Sequence, residues 1–373
     1  MAVSTSVKWA VSSMVGAPVL NGTAGSLIAV LDAFLVNGFG TKAVDSATVT
    51  DGICRMNITG GSAAQDHCVI QLAGVTGDGV ALNGPQRVKA ATASYVEFAC
   101  DLPDGPLTGT ITFKIAPLGW EKVFSKTNVA VYRSTDPAAT RCYLRVDDTG
   151  SRNARVVGYE AMAGVDEGIG AFPQQVQISG GGYWPKSEAV SAAARGWTAA
   201  GDSRGFVLHT HNTADTGVSG CVWGFGDLDA LKSGDTYACA LFCAATDITA
   251  ATSVPSSAIE HVSPSAGTGV FLTRSYTGIG SCVQAVHGVE GLITSTGAAG
   301  AVSGALLPTY PHGPGNALMF TRKAVAEPIA GLRGFLRGVH IPAQTCHAVF
   351  NRGDFLERVH DLLSSRTRKA KWT

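Results

Sequence analysis

Between Val44 and Ala116 the chain alternates short apolar blocks with turn formers. The blocks are Ala47–Thr50, Ile53–Ile58, Cys68–Leu72, Val88–Ala90, Tyr95–Phe98 and Thr110–Ile115, and Gly60-Gly61, Gly77-Asp78-Gly79, Asn83-Gly84 and Asp104-Gly105 lie between them. Blocks this short suit strands better than helices, and Gly and Asn supply the positive-φ positions that tight turns need. The segment reads as a small β-barrel or sandwich module. The same rhythm resumes in Val129–Tyr132, Arg141–Val146, Ala154–Tyr159, Phe206–His211, Cys221–Phe225, Tyr237–Cys243 and Gly269–Leu272. Pro117-Leu-Gly-Trp120 reads as a hinge between the two regions, while Ala298–Gly304 and Tyr310–Gly315 read as loops. With 46 Gly in 373 residues, a mainly β fold is the expectation.

Two helices interrupt this pattern. Ser26 is placed to cap the first, Leu27, Ile28, Val30, Leu31, Phe34 and Leu35 fill most of its circumference, and Asn37-Gly38 gives a left-handed stop. So apolar a helix must pack against a sheet or a neighbouring subunit. Near the end, Phe355, Leu356, Val359, Leu362 and Leu363 follow helical spacing, ahead of a basic tail from Arg366 to Lys371. The expected organisation is therefore an N-terminal helix with a small β-barrel over 1–116, a larger β-sandwich-like region over 117–350, and a C-terminal helix and tail over 351–373.

Charge and composition exclude several classes. Hydrophobic residues make up 45% of the chain and charged ones only 15%, too apolar a mixture for a disordered protein. The balance of 28 Lys+Arg against 28 Asp+Glu argues against a protein dedicated to nucleic acid, which needs a surplus of cations. No apolar run approaches the roughly 20 residues that span a bilayer, and no signal peptide is read at the start, so synthesis and folding in a cytoplasm are expected. Nine cysteines are scattered without a C-x-x-C pair, which speaks against a zinc ribbon or a redox motif and for small buried apolar side chains.

Few motifs carry chemistry. Gly201-Asp-Ser203-Arg-Gly205 fits G-x-S-x-G, but a nucleophile elbow needs a following helix and Phe206-Val-Leu-His209 reads as a strand, so a β-turn is expected. His209-Thr-His211 sets two imidazoles on one strand face; a metal would need a third ligand such as Asp202, His340, Cys346 or His347, and none is predicted. Asp147-Asp148 and Asp166-Glu167 are adjacent carboxylates that point to opposite faces of an extended chain, unlike a glycosidase pair, and both read as solvated turns. Gly180-Gly181-Gly182 lacks the G-K-[ST] of a phosphate loop. Tyr183, Trp184, Trp197 and Trp223 form the candidate ligand or interface set, a flat aromatic platform, with core packing as the competing role. Neither a catalytic residue nor a cofactor is assigned.

Several longer strings, taken as a set, resemble structural proteins of tailed bacteriophages. They include Gly119-Trp-Glu-Lys122, Phe124-Ser-Lys-Thr-Asn128, Val131-Tyr-Arg-Ser134, Leu144-Arg-Val-Asp-Asp-Thr-Gly150, Ala154-Arg-Val-Val-Gly-Tyr-Glu160 and Ser179-Gly-Gly-Gly-Tyr-Trp-Pro-Lys186. Val222-Trp-Gly-Phe-Gly-Asp227 and Arg274-Ser-Tyr-Thr-Gly278 extend the likeness, which runs from Val7 to about residue 350. Cys68-Val-Ile-Gln-Leu-Ala-Gly74, with Leu82-Asn-Gly84 and Arg87-Val88, is similar to a small β-barrel module of phage tail and fibre proteins. The resemblance implies a non-enzymatic virion component of the tail, baseplate or neck, made in the host bacterial cytoplasm. It would act by assembling as a trimer or hexamer with other virion proteins, without membrane insertion or specific nucleic-acid binding. The alternative is a receptor- or glycan-binding protein that meets the host cell surface through the aromatics of the larger region.

Overall fold

Side chains alternate buried and exposed along Ser46–Thr50 and Ile53–Asn57, the period of a strand with one face on a core. Asp51 and Gly52, both at positive φ (49° and 72°), make the two-residue turn between them, a geometry whose twist matches that of the paired strands. The computed structural model of the chain describes residues 4–211, 221–230, 236–247, 268–274, 278–286, 321–322 and 334–336. Its architecture is mainly β, and strands repeat this logic throughout.

The smaller sheet has eight strands in the order Phe39–Ala43, Thr112–Ile115, Val69–Ala73, Gly84–Ala91, Tyr95–Ala99, Ile53–Asn57, Ser46–Thr50 and Gly105–Pro106. Gly84–Ala91 bends the sheet on itself: its first half pairs with Val69–Leu72, a bulge follows Val88, and its second half pairs with Tyr95–Ala99. Cys54, Met56, Cys68, Ile70, Val88, Val96, Phe98 and Phe113 fill the interior. The result is an open barrel over residues 39–115.

The larger sheet runs Lys8–Val11, Trp197–Gly201, Gly205–Thr210, Cys221–Ala230, Cys239–Ala244, Gly182–Pro185, Asn153–Tyr159, Tyr143–Asp147, Val129–Ser134 and Trp120–Lys126. A branch through Thr268–Leu272 and Val283–Val286 leaves Cys239–Ala244. The two halves meet through one residue pair, Tyr183 with Ala244, and the sheet folds over there. Trp120, from the last strand, packs edge-on against Phe206 (5.5 Å) and Phe225 (6.0 Å) of the other half. This is sandwich packing, with aromatic side chains filling the space between sheet layers.

Three expectations change. Lys8–Val11 belongs to the larger sheet, paired with Trp197–Gly201, so the first strand is not part of the barrel. Pro117–Trp120 is pinned and not hinge-like: Leu118 and Gly119 N–H donate to the Phe34 and Leu35 carbonyls (2.9 and 3.1 Å), and Lys8 Nζ donates to the Pro117 carbonyl. Ser26 does not cap its helix; its hydroxyl donates to the Asn21 carbonyl instead (2.8 Å). The helix is α over Ser26–Leu31 and widens to π over Asp32–Asn37, where Gly38 N–H closes onto Ala33 O (2.8 Å). Leu27, Val30, Leu31, Phe34 and Leu35 are buried as anticipated and Ile28 partly so, and the helix is fixed to the larger sheet by Asp32, which accepts from Tyr132 Oη (2.8 Å) and pairs with Lys122 (2.7 Å). No helix among the described residues is long and apolar enough to cross a membrane. The helix expected near the C-terminus, the basic tail and the loops expected at 298–304 and 310–315 lie outside the described residues.

Two glycines of the barrel separate backbone strain from packing. Both Gly61 (φ 71°) and Gly74 (φ 84°) are left-handed, but a Cβ on Gly61 meets nothing within 4 Å while one on Gly74 would sit 2.0 Å from the Thr110 carbonyl oxygen. We expect Gly61→Ala to cost about 1 kcal/mol and Gly74→Ala roughly 3 kcal/mol or more, read from denaturant midpoints. Equal losses would contradict this packing of the barrel wall.

Candidate functional site

The most buried polar cluster forms where the turn after Tyr143–Asp147 meets the segment after Gly182–Pro185. In the extended chain Asp147 and Asp148 face opposite ways: Asp147 accepts from its own turn at Thr149, whereas Asp148 points inward. Asp148 Oδ2 accepts the N–H of Leu27 (2.8 Å) and of Ile28 (3.2 Å), the free donors of the helix whose own residues leave it uncapped. Lys186 Nζ donates to Asp148 Oδ1 and to the Thr23 carbonyl (2.6 Å). Both side chains are 0% exposed. Burial pushes the Asp148 carboxyl up and the Lys186 amine down, against the attraction between them.

A second cluster ties the turn at Ser134–Thr140 to the larger sheet. Asp227, buried, accepts from Thr140 N–H and Oγ1 (3.0 and 2.5 Å) and from Arg204 Nε (3.0 Å). Burial raises its carboxyl pKa, opposed by these donors. Next to it lies Gly201-Asp-Ser203-Arg-Gly205, which is the expected β-turn: it joins two antiparallel strands, and Asp202 Oδ1 accepts the N–H of Arg204 (2.8 Å) and of Gly205 (3.0 Å). Ser203 Oγ donates to Asp136 Oδ2 (2.7 Å), and no helix follows the turn to make a nucleophile elbow.

The aromatic platform does not form. Trp184, Trp197 and Trp223 are each 0% exposed, with indole N–H groups donating to Phe242 O (2.7 Å), Pro18 O (2.9 Å) and Thr210 Oγ1 (3.2 Å). They are core, because three large apolar rings on inward-facing strand positions gain more from burial than from stacking in water. Tyr183 alone is half-buried, and its ring is covered by the Arg155 guanidinium 3.7 Å from the centroid. A surface patch built from all four residues is therefore corrected to three core anchors and one capped tyrosine.

The remaining motifs take structural roles. His209 and His211 are buried, ring centroids 4.4 Å apart and nearly perpendicular. No group of three His, Cys, Asp or Glu among the described residues could hold a metal, and His340, Cys346 and His347 lie outside them. Asp148 is thus not the solvated turn residue expected, whereas Asp166 is exposed, paired with Lys126 (2.5 Å) and Arg145 (2.8 Å). In the triple-glycine loop the Ser179 and Gly181 carbonyls accept from Arg155, so the loop turns acceptors toward a cation and does not cradle a phosphate. Cys54, Cys68, Cys100, Cys142, Cys239, Cys243 and Cys282 are free, and all of them except Cys100 are buried.

The Asp148–Lys186 centre escaped the sequence reading because its partners are far apart in the chain, with Leu27 and Ile28 more than a hundred residues from Asp148. Compared with known proteins, the chain matches no family model, no curated protein and no solved structure.

Removing Asp148 leaves a buried amine and two uncapped N–H groups. Asp148→Ala should lose roughly 3–5 kcal/mol in denaturant unfolding, while Asp166→Ala, at the surface, should leave the midpoint unchanged. The His209 imidazole is held well below its ordinary value of 6.5, first by burial and then by His211. As pH falls through about 6.5 the unfolded chain takes up this proton and the folded chain does not, so stability is lost on acidification by up to about 1.4 kcal/mol per unit. The plot of Tm against pH should be steeper for the wild type than for His209→Gln between about pH 7 and pH 5; parallel curves would remove His209 as the source.

Proposed function

We propose that the chain is a structural component of a tailed bacteriophage particle, in its tail, baseplate or neck, where it works by assembling into a trimer or hexamer with other virion proteins. One observation carries the reading on the structural side: buried polar side chains serve as tethers between distant segments. Asp148 joins helix to sheet, Asp227 joins turn to sheet, and the indoles of Trp120, Trp184 and Trp197 each donate to a backbone carbonyl far along the chain. A scaffold that must hold one shape under load in a particle needs such cross-ties more than it needs a reactive cleft. The motif strings that resemble tailed-phage structural proteins supply the particle itself. With three of the four aromatics in the core, no observation favours the glycan-binding alternative.

The test is quantitative mass spectrometry of gradient-purified particles and of their isolated tails. The chain should be present at a copy number that is a multiple of three or six. Its absence from particles would overturn the proposal.

A further inference from the structure

We propose that Lys186 and Asp148 are joined by an intramolecular amide between Nζ and Cγ, formed in the folded chain by condensation with loss of one water. The geometry of the centre suits that reaction better than a lasting ion pair. Both groups are 0% exposed and in contact, so neither is reached by bulk solvent. Burial moves the two groups in opposite senses, the carboxyl up and the amine down, which narrows the gap that a proton must cross between them.

The two carboxyl oxygens are differently placed. Oδ1 faces the amine, while Oδ2 accepts the Leu27 and Ile28 N–H groups at 2.8 and 3.2 Å. When the Nζ lone pair attacks Cγ, negative charge develops on Oδ2, where those two donors already point. The Cγ–Oδ1 bond then breaks, and Oδ1 with its proton leaves as water after taking one of the two amine protons. The other proton stays on nitrogen. No electron is gained or lost, and no co-reactant is required.

The product fits its surroundings: the amide oxygen keeps the Leu27 and Ile28 donors, and the amide N–H keeps the Thr23 carbonyl as acceptor. No charge remains buried. The link would close a covalent loop from 148 to 186 around the strand Asn153–Tyr159 and the excursion that follows it. This inference is independent of the proposed virion role.

The experiment is intact-mass measurement of the purified, natively folded full chain after denaturation and thiol reduction, followed by a tryptic map. The expected mass is lower than the sequence mass by one water. The map should contain peptide 146–152, which holds Asp148, joined to 156–195, in which Lys186 is left uncut. A full sequence mass with cleavage after Lys186 overturns the proposal and leaves an ion pair. Loss of water without the joined peptide also overturns it, since the dehydration then lies elsewhere. Lys186→Met and Asp148→Ala chains should carry their full masses; because either can fail to fold, the wild-type peptide map is the deciding measurement.

Discussion

The contact between Asp148 and Lys186 is the constraint on which three parts of the molecule converge. A short apolar helix has backbone donors at its start that must be satisfied, and its own sequence offers no side chain in the right place. Asp148 satisfies two of them from a turn of the larger sheet, and Lys186 balances Asp148 from a second turn. Once this junction forms, the helix cannot slide along the sheet. Its widening to π geometry over Asp32–Asn37 then places Asp32 under Tyr132 and Lys122 of the same sheet. A buried contact of this kind is weak evidence for stability but a strong device for specifying one arrangement, because every alternative leaves a buried polar group or an N–H without a partner.

Aromatic packing supplies the bulk of the cohesion. Trp120, Phe206, Phe225 and Trp184 sit between the two halves of the folded sheet, mostly in edge-to-face contact, and Phe172 stacks on Phe225 at 6.0 Å. Phe39, from the barrel, meets Trp197, from the larger sheet, at 6.4 Å, so the two regions share one hydrophobic cluster. Arg87 strengthens that junction by donating to the carbonyls of Ser4, Val7 and His67, which ties the N-terminal strand of the larger sheet to the barrel wall. Because its acceptors among the described residues are neutral carbonyls, this guanidinium acts there as a multidentate hydrogen-bond clamp.

Rigidity of this kind bears on the proposed role. A particle component has to present the same surface in every copy, and fixing the chain through buried polar cross-ties reduces the number of shapes available to it. An amide between Lys186 and Asp148 would extend the same principle from hydrogen bonds to a covalent link.

Local pattern alone determined the mainly β fold, most strand positions and the turn at Gly201–Gly205, because strand alternation and positive-φ turn residues act over two to six neighbours. It also determined that the first helix must be buried. Tertiary structure decided what local pattern cannot carry: that Lys8–Val11 pairs with a strand almost two hundred residues away, that Pro117–Trp120 is fastened, and that the tryptophans form a core and not a platform. A tryptophan in a strand has the same sequence signature whether its face meets solvent or another layer, and only the folding-over of the sheet at Tyr183 and Ala244 settles which. Asp148 makes the same point for charge: beside Asp147 it reads as half of a solvated turn, and only the arrival of Leu27, Ile28 and Lys186 makes it the buried cap of a helix.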